Sequence, residues 1–448
     1  MSKQLELTFE NRGEAPRVER SVQTRSADDE STTPGRGALM EQIVERSNMQ
    51  RALERVKKNK GSAGIDGMTV DELGDWLRFN WPQVREDLLS GRYRPNPVRR
   101  VTIPKPDGGE RQLGIPTVLD RLIQQAVLQV LQPRFDPTFS DRSHGFRPGR
   151  SAHGAIREAR NIIQGGKTWV VDIDLEKFFD RVNHDMLMGR LAKRIEDRRV
   201  LKLIRGYLNA GIMVNGIVVE QGEGTPQGGP LSPLLANVLL DDIDKRLETR
   251  GHAFVRYADD LRVFVASKKA GERCMKKLVK DFEALRLTIN VEKSAVDKVW
   301  RRPFLGFAFW VGPEKSVKLR VAPKALQKMK ARVRQITRRN AGRSLSSIIG
   351  ELRQYLMGWR GYFRLAETPK KLTELDRWIR HRLRAIQLKM WKRGKTAFRE
   401  LVKRGMSKVG AAQIAANTRR WWRNSAMKLN MAIPNHELER LGLPRLGP

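Results

Sequence analysis

Residues 254–266 read FVRYADDLRVFVA, in which two apolar runs flank the adjacent carboxylates of Asp259 and Asp260. Valine, phenylalanine and tyrosine favour strands, and an acidic pair between two such runs is typical of a hairpin turn. The same carboxylates are also suited to binding a metal ion. Taken alone, the motif favours the turn, so the rest of the sequence has to decide between the two interpretations.

A second acidic pair lies at the end of an apolar run in WVVDIDLEKFFD, residues 169–180. In a strand, Asp172 and Asp174 would share one face, because successive side chains alternate between faces. Clustered carboxylates repel one another unless a cation offsets their charge. Two Mg²⁺ ions held there would activate a 3′-hydroxyl and stabilise a leaving pyrophosphate. From the residues alone, a two-metal nuclease, a nucleotidyl cyclase-like site and a solvated acidic patch remain open.

The charge of the chain indicates a polyanionic partner. Its 448 residues include 87 Lys and Arg against 50 Asp and Glu, a net charge of +37. Residues 321–448 hold 31 basic and 7 acidic side chains, a net charge of +24. Nucleic acid fits this excess best, because neutralised phosphates release their counterions. An anionic membrane is the rival partner, but neither an apolar run of about 18 residues nor a signal-peptide pattern is found, so no membrane association is expected.

Pattern and composition together predict an α+β body followed by helices. Residues 98–116 indicate a hairpin around a Pro/Gly-rich turn, and residues 117–135 an amphipathic helix closed by Pro133. Mixed strands and helices without strict alternation are typical of α+β folds. After residue 322 the strand signals stop. The single cysteine, Cys274, excludes a disulfide framework, indicates an intracellular protein and is interpreted as a small apolar helix residue.

Eight blocks in sequence order resemble the reverse transcriptases, and more narrowly the bacterial group II intron reverse transcriptase/maturases. The blocks are KGSAGIDGMTV, IPKPDGGERQLGIPTVLDRLIQQAV, HGFRPGRSAHGAI, VDIDLEKFFDRVNHDML, GTPQGGPLSPLLANVLLDDID, RYADDLRVF, LRLTINVEKS and FLGF. Many relatives carry an HNH nuclease with paired cysteines, which a chain with one cysteine lacks, so no endonuclease is expected. Nuclease-lacking relatives of this length resemble the class C group.

The resemblance implies a right-hand polymerase with an appended all-helical basic domain. Residues 1–37 are polar and predicted to be disordered. Residues 38–165 would form an N-terminal extension and the fingers, and residues 166–321 the palm. Residues 322–400 would be the thumb, or maturase domain X. Residues 401–448 would be a short basic segment that contacts DNA.

The family's catalytic aspartates correspond to Asp174, Asp259 and Asp260. These residues, together with Leu175, are expected to hold two Mg²⁺ ions, for which Mn²⁺ is a substitute. The resemblance does not decide whether Asp172 is a ligand or only lies nearby.

Four further residues are implied in binding the incoming nucleotide. Phe179 matches the aromatic that lies under the sugar, where a ring would clash with a 2′-hydroxyl; a core phenylalanine is the alternative. Lys105 and Arg111 flank the turn of a hairpin that closes over the triphosphate, although without the family they would be a solvated turn. Gln227, in the Gly/Pro-rich loop, is expected near the nucleotide and template.

A set of arginines is predicted to bind template or intron RNA. Arg147 lies in a basic loop of the fingers, and the others lie in domain X. The domain X arginines are Arg353, Arg360, Arg364, Arg377, Arg380 and Arg384. The aromatic residues Trp359, Tyr362 and Phe363 among them are predicted to be mostly helix core.

The sequence therefore predicts an intron-encoded RNA-directed DNA polymerase that assists splicing of its intron RNA and supports mobility by target-primed reverse transcription. Its partners would be the intron RNA, an RNA template with a DNA or RNA primer, dNTPs and target DNA. It is expected in the bacterial cytoplasm, associated with RNA or the nucleoid, and a homodimer is left open. The alternatives are an intron-independent, domesticated or defence-associated reverse transcriptase and a non-catalytic RNA-binding splicing factor.

Overall fold

The computed structural model describes most of the chain after residue 38. The described residues are 39–104, 110–214, 217–219, 223–224, 228–312, 316–338, 342–417, 420–426 and 429–447. The predicted disordered segment 1–37, Lys105 and Gln227 lie outside these ranges, as does the side chain of Arg111. The described chain divides after Lys298 into two compact units.

The first unit combines helices with two four-stranded sheets. Its helices are α1 (Leu39–Val44), α2 (Arg46–Asn59), α3 (Leu73–Leu89), α4 (Val118–Phe135), α5 (Ala152–Gln164), α6 (His184–Ala192), α7 (Arg198–Asn209), α8 (Ser232–Thr249) and α9 (Lys268–Glu283). Its strands are β1 (Val98–Pro104), β2 (Glu110–Ile115), β3 (Trp169–Ile173), β4 (Ile212–Val214), β5 (Ile217–Val219), β6 (Ala253–Tyr257), β7 (Asp260–Val265) and β8 (Ala295–Lys298). The sheet orders are β2-β1-β4-β5 and β6-β7-β3-β8.

The β1–β2 hairpin confirms the prediction for residues 98–116, with Arg99 paired to Ile115 in an antiparallel register. In α4 the prediction that Pro133 closes the helix is wrong, because the helix continues to Phe135. Proline removes only one N–H bond, and here the final turn still closes, with the Asp136 N–H donating to the Gln132 carbonyl.

The β6-β7-β3-β8 sheet carries all three predicted catalytic aspartates at or next to its strand ends. Its inward-facing residues are apolar and buried, among them Val171, Phe254 and Val263. Cys274 lies on α9 with its side chain buried, and burial raises the pKa of its thiol to about 11. The interpretation of Cys274 as a small apolar helix residue is confirmed.

The second unit is a hairpin followed by helices. Its elements are β9 (Phe307–Val311), β10 (Val317–Val321), α10 (Pro323–Ile336), α11 (Leu345–Tyr362), α12 (Pro369–Met390), α13 (Gly394–Lys403), α14 (Lys408–Ala416), α15 (Trp421–Ala426), α16 (Leu429–Ala432) and α17 (Asn435–Arg440). Residues 401–448 were predicted as a short basic segment that contacts DNA. In the structure Leu401, Ile414, Leu429 and Leu438 are buried in one core with α12. The predicted domain boundaries themselves stay a prediction.

Within the described ranges, no helix combines the length and apolar character needed to cross a membrane.

Candidate active site

The YADD motif forms the turn between β6 and β7. Tyr257 pairs with Asp260 as the last step of the antiparallel ladder, so Ala258 and Asp259 make a two-residue connection. Ala258 has a φ of 58°, in the left-handed region that residues with a Cβ rarely occupy. Such a conformation persists only where the surroundings hold it, so the turn requires external support.

A buried arginine supplies part of that support. The Arg256 side chain is 1% exposed and its guanidinium donates to the Ala258 carbonyl at 2.9 Å. It also donates to Asp244 on α8 at 2.8 Å and to the Asn237 side chain at 2.8 Å. Asp244 is 0% exposed, so the pair is fully desolvated and each charge depends on the other.

The loop before α5 supplies the remaining support for the YADD turn. The Arg256 N–H donates to the Arg142 carbonyl and the His144 N–H donates to the Arg256 carbonyl, each at 2.9 Å. Gly145 is so close that a Cβ there would lie 2.2 Å from the Ala258 nitrogen. The Asn237 side chain donates to the Gly145 carbonyl at 2.9 Å. The block HGFRPGR is therefore the loop that packs against the YADD turn, a contact that sequence reasoning missed although the glycine could have signalled it.

Asp174 follows β3 directly and lies beside the same turn. The β3–β7 register ends with Ile173 opposite Leu261, and its next step sets Asp174 opposite Asp260. The Asp174 carbonyl accepts from the Asn290 N–H at 2.8 Å. The side chain is 47% exposed and lies 3.8 Å from the Lys293 ammonium. Asp174 is thus anchored by its backbone while its carboxylate stays accessible.

Asp172 and Asp260 flank one guanidinium. Arg262 Nη1 lies 2.5 Å from Asp172 Oδ2, and Arg262 Nε donates to Asp260 Oδ1 at 3.0 Å. Burial raises the pKa of Asp260 to about 6; the charge of Arg262 opposes this rise, whereas the charges of Asp172 and Asp259 add to it. A carboxylate in this setting is stabilised in its charged form by an additional cation.

The donor set fits a divalent ion chemically. Asp174, Asp259 and Asp260 lie at the same end of the sheet by strand position, and their oxygens are the hard ligands that such ions prefer. In the part of the chain that the structure describes, no three His, Cys, Asp or Glu side chains are gathered in an arrangement that could hold a metal ion. Leu175 is buried, with its backbone in a bridge to Ile289. The carboxylates are therefore neighbours, but they are not closed into a ligand cage.

Phe179 lies in a single 3₁₀ turn, Phe178–Asp180, shortly after Asp174. Its ring is half-buried and meets the buried ring of Phe178 edge-on, with centroids 5.1 Å apart. Gly224 lies against the same turn, and a Cβ there would be 3.0 Å from the Phe179 carbonyl oxygen. The start of the Gly/Pro-rich loop thus touches the predicted sugar-contacting residue, whose role stays a prediction.

The structure corrects the prediction that Arg147 contacts the template. Its side chain is 3% exposed, and its guanidinium donates to the Asp136 carboxylate at 2.8 Å and to the Ser143 carbonyl at 2.9 Å. It also stacks over Phe139 at 5.5 Å. With its donors engaged inside the fold, Arg147 holds the fingers loop together.

Two of the domain X arginines are also corrected. Arg380 is buried between Asp376 and Glu439, at 3.0 and 3.1 Å. Arg384 is buried as well, and it donates to the Ile433 carbonyl at 2.8 Å. The residues after 430 cover this face of α12, so these cations bind the chain itself and not RNA.

The other domain X arginines lie at the surface. The exposed residues are Arg353, Arg360, Arg364 and Arg377. Among the aromatic residues near them, Phe363 is buried, with the Trp359 ring 4.8 Å and the Tyr362 ring 4.9 Å away. The prediction that most of these rings are core holds for Phe363, whereas Trp359 and Tyr362 are only half-buried.

Comparisons with known proteins agree with this geometry. The family model "Reverse transcriptase (RNA-dependent DNA polymerase)" matches residues 103–309, and "Group II intron, maturase-specific domain" matches residues 326–405. Protein YkfC of Escherichia coli (strain K12) is 32% identical over an alignment of 323 residues, which covers 63% of this chain and 84% of YkfC. Group II intron-encoded protein LtrA of Lactococcus lactis is 40% identical over 195 residues, 43% of this chain and 32% of LtrA.

A chain of the partial Cas6-RT-Cas1–Cas2 complex is 26% identical, and the match covers 55% of this chain and 42% of that chain with a TM-score of 0.36. The family models and the extent of the match to YkfC define the class as a polymerase that copies RNA into DNA with divalent metal ions. Within that class, the chain belongs to the group II intron reverse transcriptase/maturases. Its fold is accordingly the α+β right-hand polymerase with an appended helical domain.

Proposed function

We propose that this protein extends a primer on an RNA template by two-metal nucleotidyl transfer, binds its intron RNA to assist splicing, and supports mobility by target-primed reverse transcription. The observation that carries the proposal is the β3–β7 register, whose last pair, Ile173 and Leu261, directly precedes Asp174 and directly follows Asp260, beside the turn that holds Asp259. Three carboxylates at one end of a buried sheet are unfavourable, because they lose hydration and repel one another unless a cation offsets their charge.

Asp174, Asp259 and Asp260, with Leu175, are the proposed residues of the metal site. Two Mg²⁺ ions there, or Mn²⁺ in their place, supply activation of the primer 3′-hydroxyl and stabilisation of the leaving pyrophosphate. The backbone anchors of Asp174 and the Arg256 contact to the turn hold these carboxylates in place. A fixed arrangement lowers the cost of assembling the site around nucleotide and primer.

The proposed nucleotide contacts are Phe179 under the sugar, Lys105 and Arg111 at the triphosphate, and Gln227 beside the template. The neighbouring Gly224 supports the placement of Phe179, because a Cβ there would lie 3.0 Å from the Phe179 carbonyl oxygen and crowd this turn. The exposed arginines of domain X are the proposed contacts to intron RNA and to the template–primer duplex. They are Arg353, Arg360, Arg364 and Arg377.

The direct test is extension of a labelled DNA primer on an RNA template by the full-length protein with dNTPs. We expect full-length cDNA with Mg²⁺ or Mn²⁺, and no product after chelation with EDTA until the ion is restored. A protein that binds the template–primer but gives no cDNA with either ion would contradict the polymerase function.

Phe179→Val is expected to relax the choice between deoxy- and ribonucleotides. The smaller side chain opens space for a 2′-hydroxyl, so the ratio of rNTP to dNTP incorporation should rise about tenfold to a hundredfold. Single-nucleotide extension with each triphosphate measures that ratio. The control is Phe178→Leu, which changes the adjoining buried ring and should lower stability without altering the ratio. An unchanged ratio in Phe179→Val would remove Phe179 from the nucleotide site.

A further inference from the structure

A buried arginine lies directly beside the proposed metal-binding carboxylates. Arg262 is two residues after Asp260 on β7, and its register partner on β3 is Asp172. Residues two apart on a strand share a face of the sheet, and so do residues directly opposite across a pair. Asp172, Arg262 and Asp260 therefore occupy one face, to which the next register step adds Asp174.

The guanidinium of Arg262 joins two of these carboxylates, at 2.5 Å to Asp172 and 3.0 Å to Asp260. The side chains of Arg262 and Asp172 are 9% and 8% exposed, whereas that of Asp260 is 35% exposed. The Nε–H of Arg262 donates a hydrogen bond to Asp260, whereas Nη1 forms a close ion pair with Asp172. A planar guanidinium can thus engage two partners through different nitrogens, which restricts its orientation between them. The partly exposed carboxylate of Asp260 is thus held by the buried ion pair of Asp172 and Arg262.

Asp172 is poorly placed to be a metal ligand itself. Its carboxylate is buried and already faces a cation, and withdrawing a buried charge from its partner is costly. A carboxylate that must keep Arg262 neutralised is better understood as part of the support for its neighbours.

We propose that Asp172 and Arg262 are positioning residues of the polymerase site. Asp172 orients the guanidinium, and Arg262 holds Asp260 through Oδ1, so that Asp260 presents Oδ2 to the divalent ion. Arg262 therefore holds Asp260 in position, but its positive charge also competes with the divalent ion for the Asp260 carboxylate. Asp172 weakens this competition, because it neutralises part of the guanidinium charge. This inference rests on the proposed polymerase function.

Asp172→Asn tests the effect of the Asp172 charge on Arg262, because it removes that charge and keeps the side-chain shape. Of the two described carboxylate partners of Arg262, only Asp260 then keeps its charge, so the guanidinium neutralises Asp260 more strongly. The Mn²⁺ concentration at half-saturation should rise about three- to tenfold, as expected for one charge a few ångströms from a partly exposed site. Loss of the free-ion EPR signal measures Mn²⁺ binding to the full-length protein without nucleic acid. The Mn²⁺ dependence of primer extension is a second readout.

The double variant Asp172→Asn/Arg262→Met tests the tether and removes both buried charges together, which protects folding. It should bind Mn²⁺ at least as tightly as wild type, because the competing cation is gone. Its extension rate at saturating Mn²⁺ should be about tenfold lower, because a freely rotating Asp260 no longer holds the ion in a reactive position.

Asp281→Asn is the matched control. Asp281 is buried on α9 and accepts from both Arg246 and Arg250, so its replacement also removes a buried, ion-paired carboxylate in the same unit. It should leave Mn²⁺ half-saturation unchanged. The proposal is overturned if Asp172→Asn and the double variant match wild type, or if Asp281→Asn shifts half-saturation equally. A wild type that extends no primer contradicts the polymerase function instead, and the EPR comparison still tests the positioning role.

Discussion

Replacing Asp259 with alanine is expected to abolish RNA-templated primer extension, lowering its rate by about three orders of magnitude or more. Asp259 lies in the connection between β6 and β7, and its loss removes one carboxylate from the proposed metal site. The bound ions contribute several kcal/mol of charge stabilisation in the transition state, and each 1.4 kcal/mol, roughly, is tenfold in rate. Extension of a labelled primer by equal amounts of folded protein measures the effect.

Asp185→Ala is the control for charge removal. Asp185 lies on α6 in the same unit, its side chain is 82% exposed, and it pairs with Arg205. Its replacement should leave the rate within about twofold of wild type, because exposed pairs contribute little. If Asp259→Ala retains a rate similar to that of Asp185→Ala, Asp259 is not a metal ligand.

Replacing Arg256 with methionine is expected to have the largest effect on stability. The change leaves Asp244 charged and buried without its partner, which costs about 3–5 kcal/mol of unfolding free energy. The Ala258 carbonyl also loses its donor, so the turn that carries Asp259 is no longer fixed. Urea denaturation followed by tryptophan fluorescence measures the first effect, and primer extension the second.

Two further variants separate stability from positioning. Arg256→Met/Asp244→Leu removes both buried charges and should regain most of the lost stability, yet primer extension should stay low because the Ala258 carbonyl remains without its donor. Arg190→Met breaks a more exposed pair with Asp242 and should cost less than about 1 kcal/mol. Full activity in the double variant would show that Arg256 acts only through stability.

The parts of the fold that the sequence predicts correctly depend on neighbours along the chain. Alternating apolar residues and a turn suffice to predict the β1–β2 and β6–β7 hairpins, because both strands of each hairpin lie within one short segment. The apolar stripe of α12 likewise packs into the helical core, where Ile379 and Leu383 are buried. Periodicity identifies the face that packs, and that information is local.

The wrong predictions concern arginine side chains that are buried by segments distant in sequence. Arg380 and Arg384 look like solvated cations at helical spacing, but Glu439 and Ile433, some 50 residues later, accept their hydrogen bonds. Arg147 is misjudged for a similar reason, since a basic loop gives no sign of an internal acceptor such as Asp136. No periodic pattern encodes a contact between segments that are distant in sequence.

In the candidate site too, the sequence predicts the residues within local motifs but not the contacts between distant strands. Motifs single out the three aspartates, but the pairing of Asp172 with Arg262 follows only from the strand register. Residue spacing cannot distinguish Asp172 from Asp174, because both lie on one face of β3. The structure separates them by burial: Asp172 faces a guanidinium, whereas the carboxylate of Asp174 is about half exposed.

The close approach of Gly145 to Ala258 has a consequence for how the protein is made. About 110 residues separate the two positions, so the contact has a high sequence separation, and contacts of this kind form late and slowly. During synthesis from the N-terminus, the loop around Gly145 leaves the ribosome well before β6 and β7 exist. A nascent chain therefore cannot complete the contact between this loop and the YADD turn until β6 and β7 have been translated.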